Sequence, residues 1–92
     1  MSFIGAKVNV RGAVQGVGFR YYCIKKASGY DIAGYVANLP DGSVELEIEG
    51  DRGIVEEYLK EVKIGPTYSH VAEMNVKWYN VPKGYKRFEV KY

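Results

Sequence analysis

The sequence is poor in metal-binding and redox-active side chains, with one cysteine, Cys23, and one histidine, His70. A single cysteine excludes an intramolecular disulfide framework and a multi-cysteine zinc site, which suits a reducing compartment. His70 has no partner at the spacing of zinc ligands, so we interpret it as a surface residue in a loop. Cys23 is interpreted as a small core residue. From these missing ligands we expect no metal and no cofactor.

Long apolar runs are also missing. No stretch approaches the roughly 20 apolar residues of a membrane-spanning helix. The first residues carry neither the basic flank nor the apolar segment of a secretion signal. We therefore expect a cytoplasmic protein without a membrane partner.

Acidic residues are missing from the first third of the chain. Residues 1–30 contain five Lys and Arg and no Asp or Glu, whereas residues 41–61 contain eight carboxylates and two cations. A molecule polarised in this way attracts a small anion toward its positive half. Ordinary surface charge is the alternative interpretation, and the sequence leaves both open.

Hydrophobic periodicity predicts strands and helices in a recognisable order. Alternation with period two predicts strands at residues 7–11, 32–39, 44–49, 71–78 and 85–92. Helical spacing predicts one helix from Phe19, closed by Asp31 in the left-handed conformation, and a second from an Asp51 N-cap to Gly65. The order is strand, helix, strand, strand, helix, strand, with a tail strand. It predicts a ferredoxin-like α+β fold, in which two helices cover one face of an antiparallel sheet and a short C-terminal strand forms an edge. We treat residues 1–92 as a single domain.

Two of the predicted strands have faces that can be assigned. In the third strand, apolar residues alternate with Glu45, Glu47 and Glu49, so we expect the glutamates to lie on a solvent face. Side chains that project side by side from one face of a strand do not converge on a metal ion. In the fourth strand we expect one face to carry Ala72, Met74, Val76 and Trp78, and the other to carry Val71.

The turn before the first helix has the features of a phosphate site. Residues 16–19 contain no Ser, Thr, Asp or Asn to cap the helix, and Arg20 stands where the helix dipole favours an anion. Gly16 and Gly18 allow backbone N–H groups to converge on an anion, and a guanidinium adds bidentate hydrogen bonds. The Walker and dinucleotide motifs do not fit, since the latter needs a glycine where Tyr21 stands. Taken singly, the glycines are compatible with a plain tight turn and Arg20 with a surface cation.

Two blocks of sequence closely resemble the signatures of the acylphosphatase family. They are VRGAVQGVGFR at residues 10–20 and GYVANLPDGSVE at residues 34–45. The resemblance implies a ferredoxin-like fold and the hydrolysis of carboxyl-phosphate mixed anhydrides to a carboxylate and phosphate. It also implies that Arg20 and Asn38 are catalytic, with Asn38 positioning the attacking water. The residues that it implies in phosphate binding are Gln15, Gly16, Val17, Gly18, Phe19 and Arg20.

The implied chemistry is consistent with these residue types. A carboxylate, whose conjugate acid has a pKa of about 4, leaves without a general acid. Arginine and amides supply charge stabilisation, and an asparagine carbonyl oxygen can hold a water. We expect metal-independent hydrolysis in which the proton of the water passes to the substrate phosphate.

Two alternative functions remain. One is a non-catalytic module that binds acyl or carbamoyl phosphate. The other is an RNA-binding ferredoxin-like domain, but the chain lacks the basic-glycine-aromatic run of such modules and its acidic hairpin strand would repel a phosphate backbone. We expect a monomer that acts on a small acyl phosphate and binds no nucleic acid.

Overall fold

The chain folds into five strands and two helices in the predicted order. The computed structural model describes residues 3–92. The elements are β1 (Phe3–Ala13), α1 (Phe19–Ala27), β2 (Ile32–Asn38), β3 (Val44–Asp51), α2 (Arg52–Ile64), β4 (His70–Tyr79) and β5 (Phe88–Lys91).

The strands form one sheet in the order β4-β1-β3-β2-β5. The first four strands pair antiparallel, as predicted. The C-terminal strand β5 lies at an edge, also as predicted, but it pairs parallel with β2, so the sheet as a whole is mixed. The two edge strands β4 and β5 are next to each other in the chain but lie at opposite sides of the sheet.

One hydrophobic core lies between the sheet and the helices. Its strand members sit at alternate positions, among them Val8, Leu46 and Ile48, each at most 1% exposed. The helices contribute residues at the predicted spacing, including Cys23 of α1 and Tyr58 of α2. Because both helices pack into the same cluster as these strand residues, they cover one face of the sheet.

The first helix ends earlier than the sequence predicts. It stops at Ala27, and Ser28 keeps a right-handed helical conformation with its N–H bonded to the Ile24 carbonyl oxygen. No residue other than glycine has a positive φ in the described range 3–92, so the prediction that Asp31 closes the helix is wrong. Serine and glycine at 28–29 are poor helix formers, and the chain turns there instead.

A β-bulge corrects the predicted faces of β4. Arg11 pairs with Glu73 but Gly12 pairs with Val71, so Ala72 has no partner. Val71 packs against the core and Ala72 is exposed, the reverse of the prediction, while Met74, Val76 and Trp78 face the core as predicted. Gly12 has a φ of 131°, and a Cβ there would lie 2.1 Å from the His70 carbonyl oxygen. The bulge therefore requires glycine.

The glutamate face of β3 is not a solvent face, contrary to the prediction. Glu47 is 2% exposed and Glu49 1% exposed. Because β4 and β5 lie at opposite edges, the connection between them crosses the sheet on the side away from the helices. Residues 83–85 of this connection donate three backbone N–H groups to Glu49, and the Lys83 ammonium pairs with Glu47. Glu45 stays partly exposed.

Candidate active site

The turn between β1 and α1 is held open by two glycines. Gly16 has a φ of 75° and Gly18, the N-cap of α1, has a φ of 76°. Only glycine adopts this left-handed conformation at small cost, and a Cβ at either position would meet nothing within 4 Å. No side chain caps the helix, so its first-turn N–H groups have no side-chain acceptor.

The side chain of Gln15 ties this turn to the β2–β3 hairpin. Its amide nitrogen donates to the Leu39 carbonyl oxygen at 2.8 Å and to the Ser43 carbonyl oxygen at 2.9 Å. These bonds bring residues 14–20 next to Asn38, the last residue of β2. The resemblance implies Gln15 in phosphate binding, but the sequence does not predict these side-chain bonds, because no local pattern shows where a long polar side chain will find its partners.

A pocket of about 320 Å³ opens between the turn and the end of β2. The structure brings five of the predicted site residues together around it: Gly16, Gly18, Phe19, Arg20 and Asn38. It does not bring Gln15 and Val17 to the lining, since Gln15 bonds the hairpin and Val17 packs against the core. The remaining lining residues are apolar or aromatic and were not predicted: Val14, Tyr21, Ile24, Val90 and Tyr92.

Asn38 carries a buried acceptor with no partner. Its Oδ1 is the one buried side-chain nitrogen or oxygen without a hydrogen bond among residues 3–92. A buried unpartnered carbonyl oxygen costs about 1–3 kcal/mol, so a folded protein rarely keeps one without a reason. In a residue that lines a pocket, such an oxygen is suited to accept a hydrogen bond from a water or ligand.

Arg20 has a charge without a carboxylate partner. The described part of the chain contains no ion pair that involves Arg20, and its guanidinium carbon lies 5.2 Å from the centre of the Tyr92 ring. Three other cations of the opening stretch are paired, so the predicted polarisation is largely neutralised. These pairs are Lys7–Glu45, Arg11–Asp41 and Lys26–Glu61. Arg20 remains free to bind an anion in the pocket.

No side chain that lines the pocket is a base or a thiol nucleophile. Its described lining contains no Asp, Glu or His. Burial raises the pKa of the Cys23 thiol to about 12, so the thiolate that a nucleophile needs does not form near neutrality. His70 is exposed, but it is the first residue of β4 and not a loop residue as predicted.

Residues 3–92 contain no group of three or more His, Cys, Asp or Glu side chains placed to hold a metal ion. In the same range no helix has both the length and the apolar character needed to cross a membrane.

Comparison with known proteins identifies the family. The acylphosphatase family model matches residues 6–90. An acylphosphatase of Syntrophotalea carbinolica is 45% identical over 92 residues, which is 100% of both chains. The crystal structure of Bacillus subtilis acylphosphatase has a TM-score of 0.94 and 35% identity, covering 97% of this chain and 99% of that one. The crystal structure of full-length HypF in its phosphate- and nucleotide-bound form is also similar, with 32% identity and a TM-score of 0.89. The alignment covers 98% of this chain but only 12% of the HypF chain.

These matches confirm the predicted ferredoxin-like fold and the resemblance seen in the sequence. The relative with full coverage of both chains is named as an enzyme, and the alternatives of a non-catalytic module and an RNA-binding domain gain no support. The chain belongs to the acylphosphatase family and has acylphosphatase activity.

Proposed function

We propose that the pocket between the 14–20 turn and Asn38 is the active site for this hydrolysis. The phosphoryl group of the substrate binds to Arg20 and to backbone N–H groups of the 15–20 turn, of which Gly16, Gly18, Phe19 and Arg20 line the pocket. Positive φ at Gly16 and Gly18 and an uncapped helix N-terminus support this assignment. A guanidinium without a carboxylate partner provides bidentate bonds to two phosphate oxygens and stays charged at any working pH.

Asn38 positions the attacking water. The observation that carries this role is its buried Oδ1, which has no hydrogen-bond partner among the described residues. A water that donates to Oδ1 satisfies this oxygen and is held beside the phosphorus. Phosphoryl transfer depends mainly on such positioning and on charge stabilisation, which is what the pocket offers.

The bond changes need no protein base. The water oxygen attacks phosphorus, the bond to the bridging oxygen breaks, and its electron pair leaves on the carboxylate. The proton of the water passes to a phosphate oxygen, so that an acyl phosphate dianion and water give a carboxylate and dihydrogen phosphate. The absence of Asp, Glu and His from the described pocket lining supports this route. If instead His70→Gln or Glu45→Gln lowers turnover steeply in a folded protein, the proton route is wrong.

The site assignment is tested by phosphate release from benzoyl phosphate and acetyl phosphate, with a chelator present. We expect Arg20→Lys and Asn38→Ala each to lower kcat/KM by at least about a hundredfold, the scale of removing one preorganised group. Arg87→Lys and Asn80→Ala make the same chemical changes at exposed positions and should act like the wild type. Near-normal rates in both site variants would overturn the assignment, and loss of wild-type activity with the chelator would overturn metal independence.

We also propose the oligomeric state, the location and the partners of the enzyme. Residues 1–92 act as a single acylphosphatase-like domain, as a monomer in the cytoplasm, on a small acyl phosphate and without nucleic acid or membrane. The chain lacks the basic-glycine-aromatic run of RNA-binding modules, which supports the exclusion of nucleic acid. Sedimentation at working concentration and a salt titration with single-stranded RNA test these points, and a stable dimer or a salt-sensitive RNA affinity would contradict them.

A further inference from the structure

The two halves of the proposed active site belong to different elements. Arg20 and the glycine turn follow β1, whereas Asn38 is the last residue of β2 and leads into the connection to β3. Attack of the water requires the phosphorus and the water oxygen to be held at a fixed separation, and a misplacement of about 1 Å can cost roughly a hundredfold in rate. The contacts that hold the β2–β3 hairpin against β1 therefore bear on turnover.

Asp41 organises the turn of this hairpin through both of its carboxylate oxygens. The Oδ1 atom accepts from the Ser43 backbone N–H at 2.9 Å and from the Ser43 hydroxyl at 2.6 Å. The Oδ2 atom accepts from the Arg11 guanidinium of β1 at 3.0 Å. These hydrogen bonds, those from Ser43 above all, hold the pKa of the Asp41 carboxyl below its ordinary value. Near neutrality the carboxylate is therefore charged and joins the hairpin to β1.

Ser43 connects this carboxylate to the glycine turn. It is 1% exposed, and its hydroxyl also accepts from the Asn9 side-chain amide of β1 at 3.0 Å. Its carbonyl oxygen accepts from the Gln15 side chain at 2.9 Å and from the Leu39 backbone N–H at 2.9 Å. Because Leu39 directly follows Asn38, one carbonyl oxygen contacts the turn on one side and the chain next to the asparagine on the other.

We infer that Arg11 and Asp41 are positioning residues for the hydrolysis. Through Ser43 they fix the hairpin against the glycine turn, and so they set the separation between Arg20 and the water on Asn38. Neither side chain lines the pocket, so both act through the residues that do. This inference rests on the proposed function, because the roles of Arg20 and Asn38 are taken from there.

The pair between Arg11 and Asp41 adds little to the stability of the fold. The two side chains are 50% and 48% exposed. Ion pairs at such exposure change the free energy of unfolding only slightly, because water and salt screen them. Removal of the pair should therefore lower Tm by less than about 5 °C. A loss of rate without a comparable loss of stability distinguishes positioning from a merely structural role.

Two single variants remove the same contact from opposite ends. Arg11→Gln removes the guanidinium, and Asp41→Asn removes the charge while its remaining oxygen can still accept from Ser43. Each should lower kcat on benzoyl phosphate and acetyl phosphate about tenfold, because the water is no longer held in line with the phosphorus. KM and inhibition by inorganic phosphate should change by less than about twofold, since the groups that bind phosphate are unaltered.

A double variant and a conservative variant sharpen the test. The double variant of Arg11→Gln and Asp41→Asn should be no slower than the slower single variant, because both changes break one contact. Arg11→Lys should keep most of the wild-type kcat, since a single ammonium donor can replace the one guanidinium bond. Arg87→Gln and Asp31→Asn are the matched controls, because they make the same chemical changes at exposed positions outside these contacts.

The outcomes separate this inference from the proposed function. Wild-type kcat in the folded Arg11→Gln and Asp41→Asn variants would overturn the inference, and so would losses that multiply in the double variant. A rate for Arg11→Lys as low as that for Arg11→Gln would overturn it as well. The proposed function fails on other evidence, namely near-normal rates in Arg20→Lys and Asn38→Ala. Circular dichroism of each variant, recorded at the assay temperature, shows that the folded protein is being compared.

Discussion

Replacement of Glu49 by glutamine tests how far a buried carboxylate holds the fold together. Glu49 is 1% exposed and accepts four hydrogen bonds. Three come from the backbone N–H groups of Lys83, Gly84 and Tyr85, and the fourth comes from the Tyr79 hydroxyl at 2.8 Å. Glutamine has almost the same shape, but one of its two oxygens becomes an NH₂ group that faces donors.

The expected cost follows from the number of bonds lost. A hydrogen bond to a charged group contributes about 1.5–3 kcal/mol, and these contributions are not fully additive. Glu49→Gln keeps one acceptor oxygen without its charge and loses about half of the bonds. We therefore expect a loss of about 3 kcal/mol in the free energy of unfolding. For a domain of this size, that lowers Tm by roughly 12 to 24 °C.

The cost should depend on pH in one direction. Burial alone raises the pKa of Glu49, but the hydrogen bonds from Lys83, Tyr79, Gly84 and Tyr85 outweigh it and hold the pKa below its ordinary value of 4.5. A carboxyl group with a lowered pKa in the folded state contributes its stabilisation above the pKa of the unfolded chain. It loses that contribution as the pH falls through the folded value. The difference between wild type and variant should therefore be constant near neutrality and shrink below about pH 4.5.

Urea and thermal unfolding followed by circular dichroism measure both effects. Glu73→Gln, on the exposed part of β4, makes the same chemical change without a buried partner and should shift Tm by less than about 3 °C. Equal Tm values for Glu49→Gln and the wild type, or equal losses in the two variants, would refute the argument. A difference that grows as the pH falls would refute the sign of the pKa effect.

Two further predictions concern positions whose role is structural. Gln15→Ala should lower kcat/KM about tenfold on both benzoyl phosphate and acetyl phosphate, because the turn loses its bonds to the hairpin. The circular dichroism spectrum should not change. Unchanged kinetics would show that those bonds do not position the site. Gly34→Ala should cost about 3 kcal/mol or more in urea unfolding, since φ is 148° and a Cβ would lie 1.7 Å from the Glu47 carbonyl oxygen. Gly42→Ala, with a φ of 92° but open space, should cost only about 1 kcal/mol, and an equal cost at both positions would show that contact does not matter.

Features that depend on neighbours along the chain could be predicted from the sequence. The apolar spacing in α1 and α2 and the alternation in β3 identified the core-facing residues, because one face of each element must be buried. The uncapped helix start, with Gly16, Gly18 and Arg20, predicted one side of the pocket for a similar reason, and we propose that this side binds the phosphate. Backbone conformation at a glycine turn is a local property, and the structure has both glycines at positive φ.

Which elements meet across the sheet could not be predicted from the sequence and is seen only in the folded chain. The glutamates of β3 look like a solvent face in sequence, and two of them are buried because the connection from one edge strand to the other crosses them. The parallel pairing of β5 with β2 has no sequence signal, yet it brings Val90 and Tyr92 to Asn38 and completes the pocket. Such contacts join residues far apart in the chain, and their free energy depends on the whole packing and not on any local pattern.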